Sequence, residues 1–207
     1  TCLHAVYRYY EDPVDLSRII AEVPTLEGGG TLSVYLASHA LRRGYRATII
    51  PYNLQIFDPT WTDLPPAEIV VRLRRQRDVK PDPPGFMHVT DAYLEYLELG
   101  GRLRFDVLTA NLLRSYLKRG IPILTGLSAT YLYGSAREYE VDGQVIYDDV
   151  RGTSCGHFVV LAGYNRETRR ALVADPLLPN PMSENQHYAV AIDRLGCAIM
   201  LGILTYD

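Results

Sequence analysis

Cys2, His157 and Asp175 have the side-chain types of a nucleophile, a general base and a group that orients the base. Cys2 opens a segment in which Leu3, Val6, Tyr7 and Tyr10 recur at helical spacing, with Thr1 as candidate N-cap. Unpaired N–H groups and the dipole at a helix N-terminus favour a thiolate, the form of cysteine that attacks a carbonyl. The alternative is a small, buried, apolar cysteine. His157 follows Gly156 and opens an almost wholly apolar run, so it sits at the edge of a core. There it can offer one ring nitrogen to a thiol and the other to an acceptor; a hydrogen-bonded structural histidine is the competing reading. Asp175 closes the next apolar run, in Ala-Leu-Val-Ala-Asp-Pro. An Asp before Pro also ends strands for purely structural reasons.

Other residues compete for the same roles. Cys155 stands two positions from His157, but i and i+2 on a strand lie about 6.5–7 Å apart, long for a thiol–imidazole bond. Thr1 could act through its own amine if it were a mature terminus. Cys197, between Gly196 and Ala198-Ile199-Met200, reads as core. His4, His39, His88 and His187 show no metal-ligand spacing, and His4 at i+2 from Cys2 points away from it. Gly28–Gly30 lacks the preceding strand and the following Gly-Lys-Ser/Thr of a phosphate-binding loop.

These residues need elements to aim them. Helices are expected over 2–10 (ended by Glu11-Asp12-Pro13), 14–22 and about 32–43, the last capped by Thr31 and stopped by Gly44. Residues 45–52 read as a strand, and Gly28-Gly29-Gly30 as a loop. The stretch 53–86 is rich in loop residues and proline. It reads as a surface insertion carrying one Arg-rich helix at 66–77 with a solvated face. Helices follow at 88–99 and 107–118. The second half reads as strands at 121–127, 158–164, 171–174, 188–192 and 199–206, with Asn165–Arg170 turning a hairpin. That hairpin brings residues 157 and 175 to one end, within about three positions of being opposite. Whether they share a face depends on a one-residue detail of the pairing. Helices first and antiparallel strands second make an α+β order.

Bulk properties narrow the function classes. The chain has 207 residues, which suits one domain over 1–207 with the insertion at about 53–86. A net charge of −3 gives no electrostatic reason to expect nucleic acid. No apolar run is long enough to span a membrane. Three widely spaced cysteines argue against a disulfide framework and fit no common zinc spacing, so a reducing compartment, the cytoplasm, is expected. The start, Thr-Cys-Leu-His, is no signal peptide and has no initiator Met, so a processed, trimmed or internal segment is expected.

The motifs Gly156-His157-Phe158-Val159-Val160-Leu161-Ala162-Gly163-Tyr164 and Asp175-Pro176, with a helix-opening Cys2, resemble those of the bacteriocin-processing, C39-like cysteine peptidases. The resemblance spans nearly the whole chain. It implies a papain-like fold, an N-terminal helical half packed on a C-terminal antiparallel sheet. It also implies a catalytic triad of Cys2, His157 and Asp175, a thioester acyl-enzyme, no cofactor, and a peptide or protein substrate, such as a leader cut after small residues. Leu3 and His4 depart from the small residue that usually follows the family's cysteine. The family's oxyanion-hole Gln stands a few residues before its cysteine, and no such Gln is seen before Cys2 in this sequence. A papain-like peptide-binding module without turnover, and an amide hydrolase or acyltransferase acting on a non-peptide substrate, are the alternative readings.

Overall fold

The computed structural model describes residues 1–26, 30–80 and 86–206. The expected loop at Gly28-Gly29 lies outside the described residues. In chain order the helices are α1 (Cys2–Tyr9), α2 (Leu16–Glu22), α3 (Ser33–Arg42), α4 (Pro66–Val79), α5 (Phe86–Glu98), α6 (Ala110–Leu117), α7 (Ala129–Tyr133) and α8 (Ile192–Tyr206). The strands are β1 (Thr48–Ile49), β2 (Arg102–Leu103), β3 (Ile123–Ser128), β4 (Glu138–Val141), β5 (Gln144–Tyr147), β6 (Gly156–Asn165), β7 (Arg170–Ala174) and β8 (His187–Ala191). This is an α+β chain, and it divides into two units: Thr1–Leu16 with Val107–Asp207, and Ser17–Asp106. The helices of the first half therefore separate. α1 belongs with the main sheet, while α3, α4 and α5 build a core of their own.

In the Ser17–Asp106 unit that core gathers Val34, Ile56, Phe57, Trp61, Leu73 and Tyr96. Segment 53–86, expected as a surface insertion, supplies four of these six. Its helix keeps the expected solvated arginine face, where Arg74 pairs with Glu98 at 2.9 Å and Arg77 with Asp91 at 2.5 Å. The opposite face buries Ile69 and Leu73, as a stripe at helical spacing does. The strand expected over 45–52 shrinks to β1, which pairs in parallel with β2. Thr31 caps no helix: α3 starts after Leu32, and the Thr31 hydroxyl donates to the Pro24 carbonyl at 2.7 Å.

In the other unit β3, β6, β7 and β8 form one antiparallel sheet in the order β3-β6-β7-β8. The Asn165–Arg170 hairpin forms as expected, with Asn165 opposite Arg170 and its side chain accepting the Thr168 N–H at 3.0 Å. Leu127, Val159, Leu161, Val173, Tyr188 and Val190 project into one core with Ile192, Leu195, Ala198 and Ile199. Burying each large apolar side chain contributes roughly 1.5–3 kcal/mol.

The last expected strand, 199–206, is instead the second half of α8. Ile192, Leu195, Ala198, Ile199 and Gly202 fall on one helical stripe and all are buried. A short apolar run has no periodicity that separates a strand from a buried helix. Gly202 lets this helix approach the sheet closely: a Cβ there would meet Leu127 Cα at 2.6 Å. On the same helix Cys197, expected in the core, faces outward and is exposed. Among the described residues no helix is long and apolar enough to cross a membrane.

Candidate functional site

Asp175 follows directly on β7, and its side chain is fully buried. A buried carboxylate survives only if its lone pairs are matched, and here four donors match them. Oδ1 accepts His157 Nε2–H at 2.8 Å and the Leu177 backbone N–H at 3.0 Å. Oδ2 accepts the Tyr188 hydroxyl at 2.6 Å and the Tyr133 hydroxyl at 2.8 Å. Burial pushes this carboxyl group up. The hydrogen bonds, His157 first, outweigh that effect and hold it well below the usual carboxylate range. The cost appears on the donors: burial and the adjacent carboxylate both push the hydroxyls of Tyr133 and Tyr188 far up, so they stay protonated.

His157 is the second residue of β6, opposite Leu127 of β3. Its ring is 23% exposed while Asp175 is closed off, so it joins the core to the surface. An ionised carboxylate can only accept. In the neutral ring Nε2 therefore carries the proton and Nδ1 keeps its lone pair.

Cys2 opens α1, which packs on β6 and β3. Its Sγ–H donates to the carbonyl of Phe158, the residue after His157, at 3.0 Å. The helix start was expected to favour a thiolate. Here the thiol is buried, and burial pushes it up to about 12; the positive charge of the Thr1 amine works against that rise and the charge of Asp175 adds to it. Desolvation outweighs the helix dipole, which is worth about 0.3–1 kcal/mol, so the resting group is a neutral thiol. Thr1 occupies the N-cap position without a side-chain cap bond.

Cys155 lies just ahead of β6. Its N–H donates to Thr130 Oγ1 at 2.8 Å, and its thiol is raised by burial and by Glu138. His39 is buried in the other unit and bonded to Glu22 at 3.0 Å. His88 and His187 are exposed, and His4 is half-buried. Among the described residues no three His, Cys, Asp or Glu side chains gather as a metal-holding group.

The sequence reading missed Tyr133 and Tyr188. Tyr188 carried a usable signal, because it alternates with Val190 in β8, which pairs with the strand that Asp175 follows. Tyr133 carried none: it sits on a five-residue helix, 42 positions from the carboxylate it touches.

No curated protein and no solved structure matches this chain. The model of the Peptidase_C39 like family matches residues 86–194. That stretch runs from α5 into α8 and contains His157, Asp175 and both tyrosines. With more than half of its length matched, the chain belongs to the Peptidase_C39 like family.

Proposed function

We propose that the protein is a cysteine peptidase with a papain-like site, in which Cys2 is the nucleophile, His157 the general base and Asp175 the residue that orients the base. The observation that carries this reading is the 2.8 Å bond from His157 Nε2 to Asp175 Oδ1. It fixes the tautomer that leaves Nδ1 as base, with the Cys2 thiol bonded to the next residue's carbonyl. For attack, the thiol turns from the Phe158 carbonyl to Nδ1 and gives up its proton as Sγ adds to the peptide carbonyl. The imidazolium then protonates the leaving amine. A water, deprotonated by Nδ1, cleaves the thioester and frees Cys2. The first backbone N–H groups of α1 point along its N-terminal dipole and can stabilise the oxyanion. The substrate class is peptide or protein, with leader removal after small residues such as Gly-Gly as the first case to try.

A mixture of peptides containing Gly-Gly, followed by mass spectrometry, tests this. Cys2→Ala and His157→Ala should each cut turnover by about 10³-fold or more. A Cys2→Ala variant that kept full hydrolysis would sink the assignment. One observation favours a second reading, a peptide-binding module without turnover: the resting thiol is neutral and already engaged with a backbone carbonyl. In that case the wild type would bind peptides and leave them intact.

A further inference from the structure

Tyr133 and Tyr188 reach Asp175 from different elements, α7 and β8, and both hydroxyls end on the same oxygen, Oδ2. α7 is itself tied to the strand that carries His157. The Ala129 N–H donates to the Cys155 carbonyl at 2.9 Å, and the Cys155 N–H donates to Thr130 Oγ1 at 2.8 Å. On its far side Arg194 of α8 donates to the Tyr131 carbonyl at 2.7 Å and the Leu132 carbonyl at 3.1 Å. A closed circuit results: α7 to Cys155, two residues along to His157, across to Asp175, and back through Tyr133 to α7.

We infer that Tyr133 and Tyr188 are positioning residues of the site, whose hydroxyls occupy Oδ2 and so hold Oδ1 on His157 Nε2. The inference rests on the cysteine-peptidase reading. A carboxylate torsion is soft and nearly two-fold. Held only through Oδ1, by His157 and the Leu177 N–H, Asp175 would keep a free Oδ2 about which to swing and let the imidazole tilt off the thiol. The two donors on Oδ2 also weaken the carboxylate as a base, so when Nδ1 takes the Cys2 proton the Nε2 proton stays on the imidazolium and does not pass to Oδ1. The titratable groups around Asp175 are His157 from β6, Tyr133 from α7, Tyr188 from β8 and Cys2 from α1, with Cys155 beside Tyr133.

The test uses the full chain with Tyr133→Phe, Tyr188→Phe and the double variant, each of which keeps the ring and its packing. Long-range ¹H–¹⁵N spectra of the His157 ring, recorded on acidification, read the Nε2–H bond without any substrate. The pH at which that bond is lost should rise by about one unit per hydroxyl removed, because Asp175 loses donors that favour its charged form. Peptide turnover should show kcat lowered about tenfold per hydroxyl, with KM within about twofold, the mark of an interaction that matters at the chemical step. Folded variants with an unchanged Nε2–H signal and an unchanged pH profile would overturn the inference, as would a lower melting temperature alone. If the wild type cleaves no peptide, the peptidase reading falls while the ring spectra still decide the role of the tyrosines.

Discussion

His157 and Asp175 share a face of the main sheet because the β6–β7 ladder slips by one residue between Leu161 and Gly163. From the turn, the pairing runs Asn165 with Arg170, Tyr164 with Ala171 and Gly163 with Leu172. Continued without a break, it would set Val160 opposite Asp175, and His157 would point to the other face. Ala162 is the extra residue, so the ladder resumes at Leu161 with Val173 and Val160 with Ala174. Val159 then faces the position of Asp175. His157, two residues further, projects on the same side and reaches the carboxylate diagonally. A single bulge residue thus decides whether the pair can form.

The resting state of Cys2 is open to direct measurement. A thiol pushed up to about 12 has a thiolate fraction of about 10⁻⁴ at pH 8. Iodoacetamide labelling at pH 8, read by mass spectrometry, should be at least about 100-fold slower at Cys2 than at the exposed Cys197. A fast plateau below pH 7 that disappears in His157→Ala would instead show a thiolate–imidazolium pair in the resting protein.

Asp175 should make stability depend on pH with a definite sign. Its folded-state pKa is depressed. The stabilisation is therefore present above the unfolded value near 3.9 and lost as pH falls towards the folded value. Asp175→Asn should cost about 3 kcal/mol at pH 7, since it removes a buried charge and leaves donors facing donors. The gap between wild type and variant should narrow as pH drops below about 4. Denaturant melts at pH 7 and pH 3 measure it, and a gap independent of pH would contradict the ionised, four-donor carboxylate.

Gly202 tests the close packing of α8 on the sheet. A Cβ there would lie 2.6 Å from Leu127 Cα and 2.9 Å from the Ser128 nitrogen, both backbone atoms that cannot rotate away. Gly202→Ala should destabilise by about 1–3 kcal/mol despite alanine's better helix propensity. Cys197→Ala, on the exposed side of the same helix, should stay within about 0.5 kcal/mol.

Leu73 tests whether segment 53–86 carries core. It is fully buried among the aromatic and aliphatic residues of the Ser17–Asp106 unit. Leu73→Ala should cost about 2–5 kcal/mol by thermal or urea melts. A surface ornament would lose almost nothing.

The local placement of the candidate residues was legible because its signals are local. A cysteine at a helix start, a histidine opening an apolar strand and an aspartate closing the next one are each written within about ten residues. The hairpin at Asn165–Arg170 could be read from its own turn residues. Other features depend on contacts that no local pattern encodes. The run Ile199–Tyr206 suits a strand or a buried helix equally well, and only packing against Leu127 decided for the helix. The charge state of Cys2 follows from burial against distant segments, which overrides the helix start that sequence can see. Tyr133 is recruited across 42 residues. The sequence by itself determined which residue types stand at strand and helix ends, because periodicity and turn chemistry are short-range. The tertiary structure alone decided which face each end presents and which partners desolvate it, because a one-residue slip in register reverses the first and long-range burial sets the second.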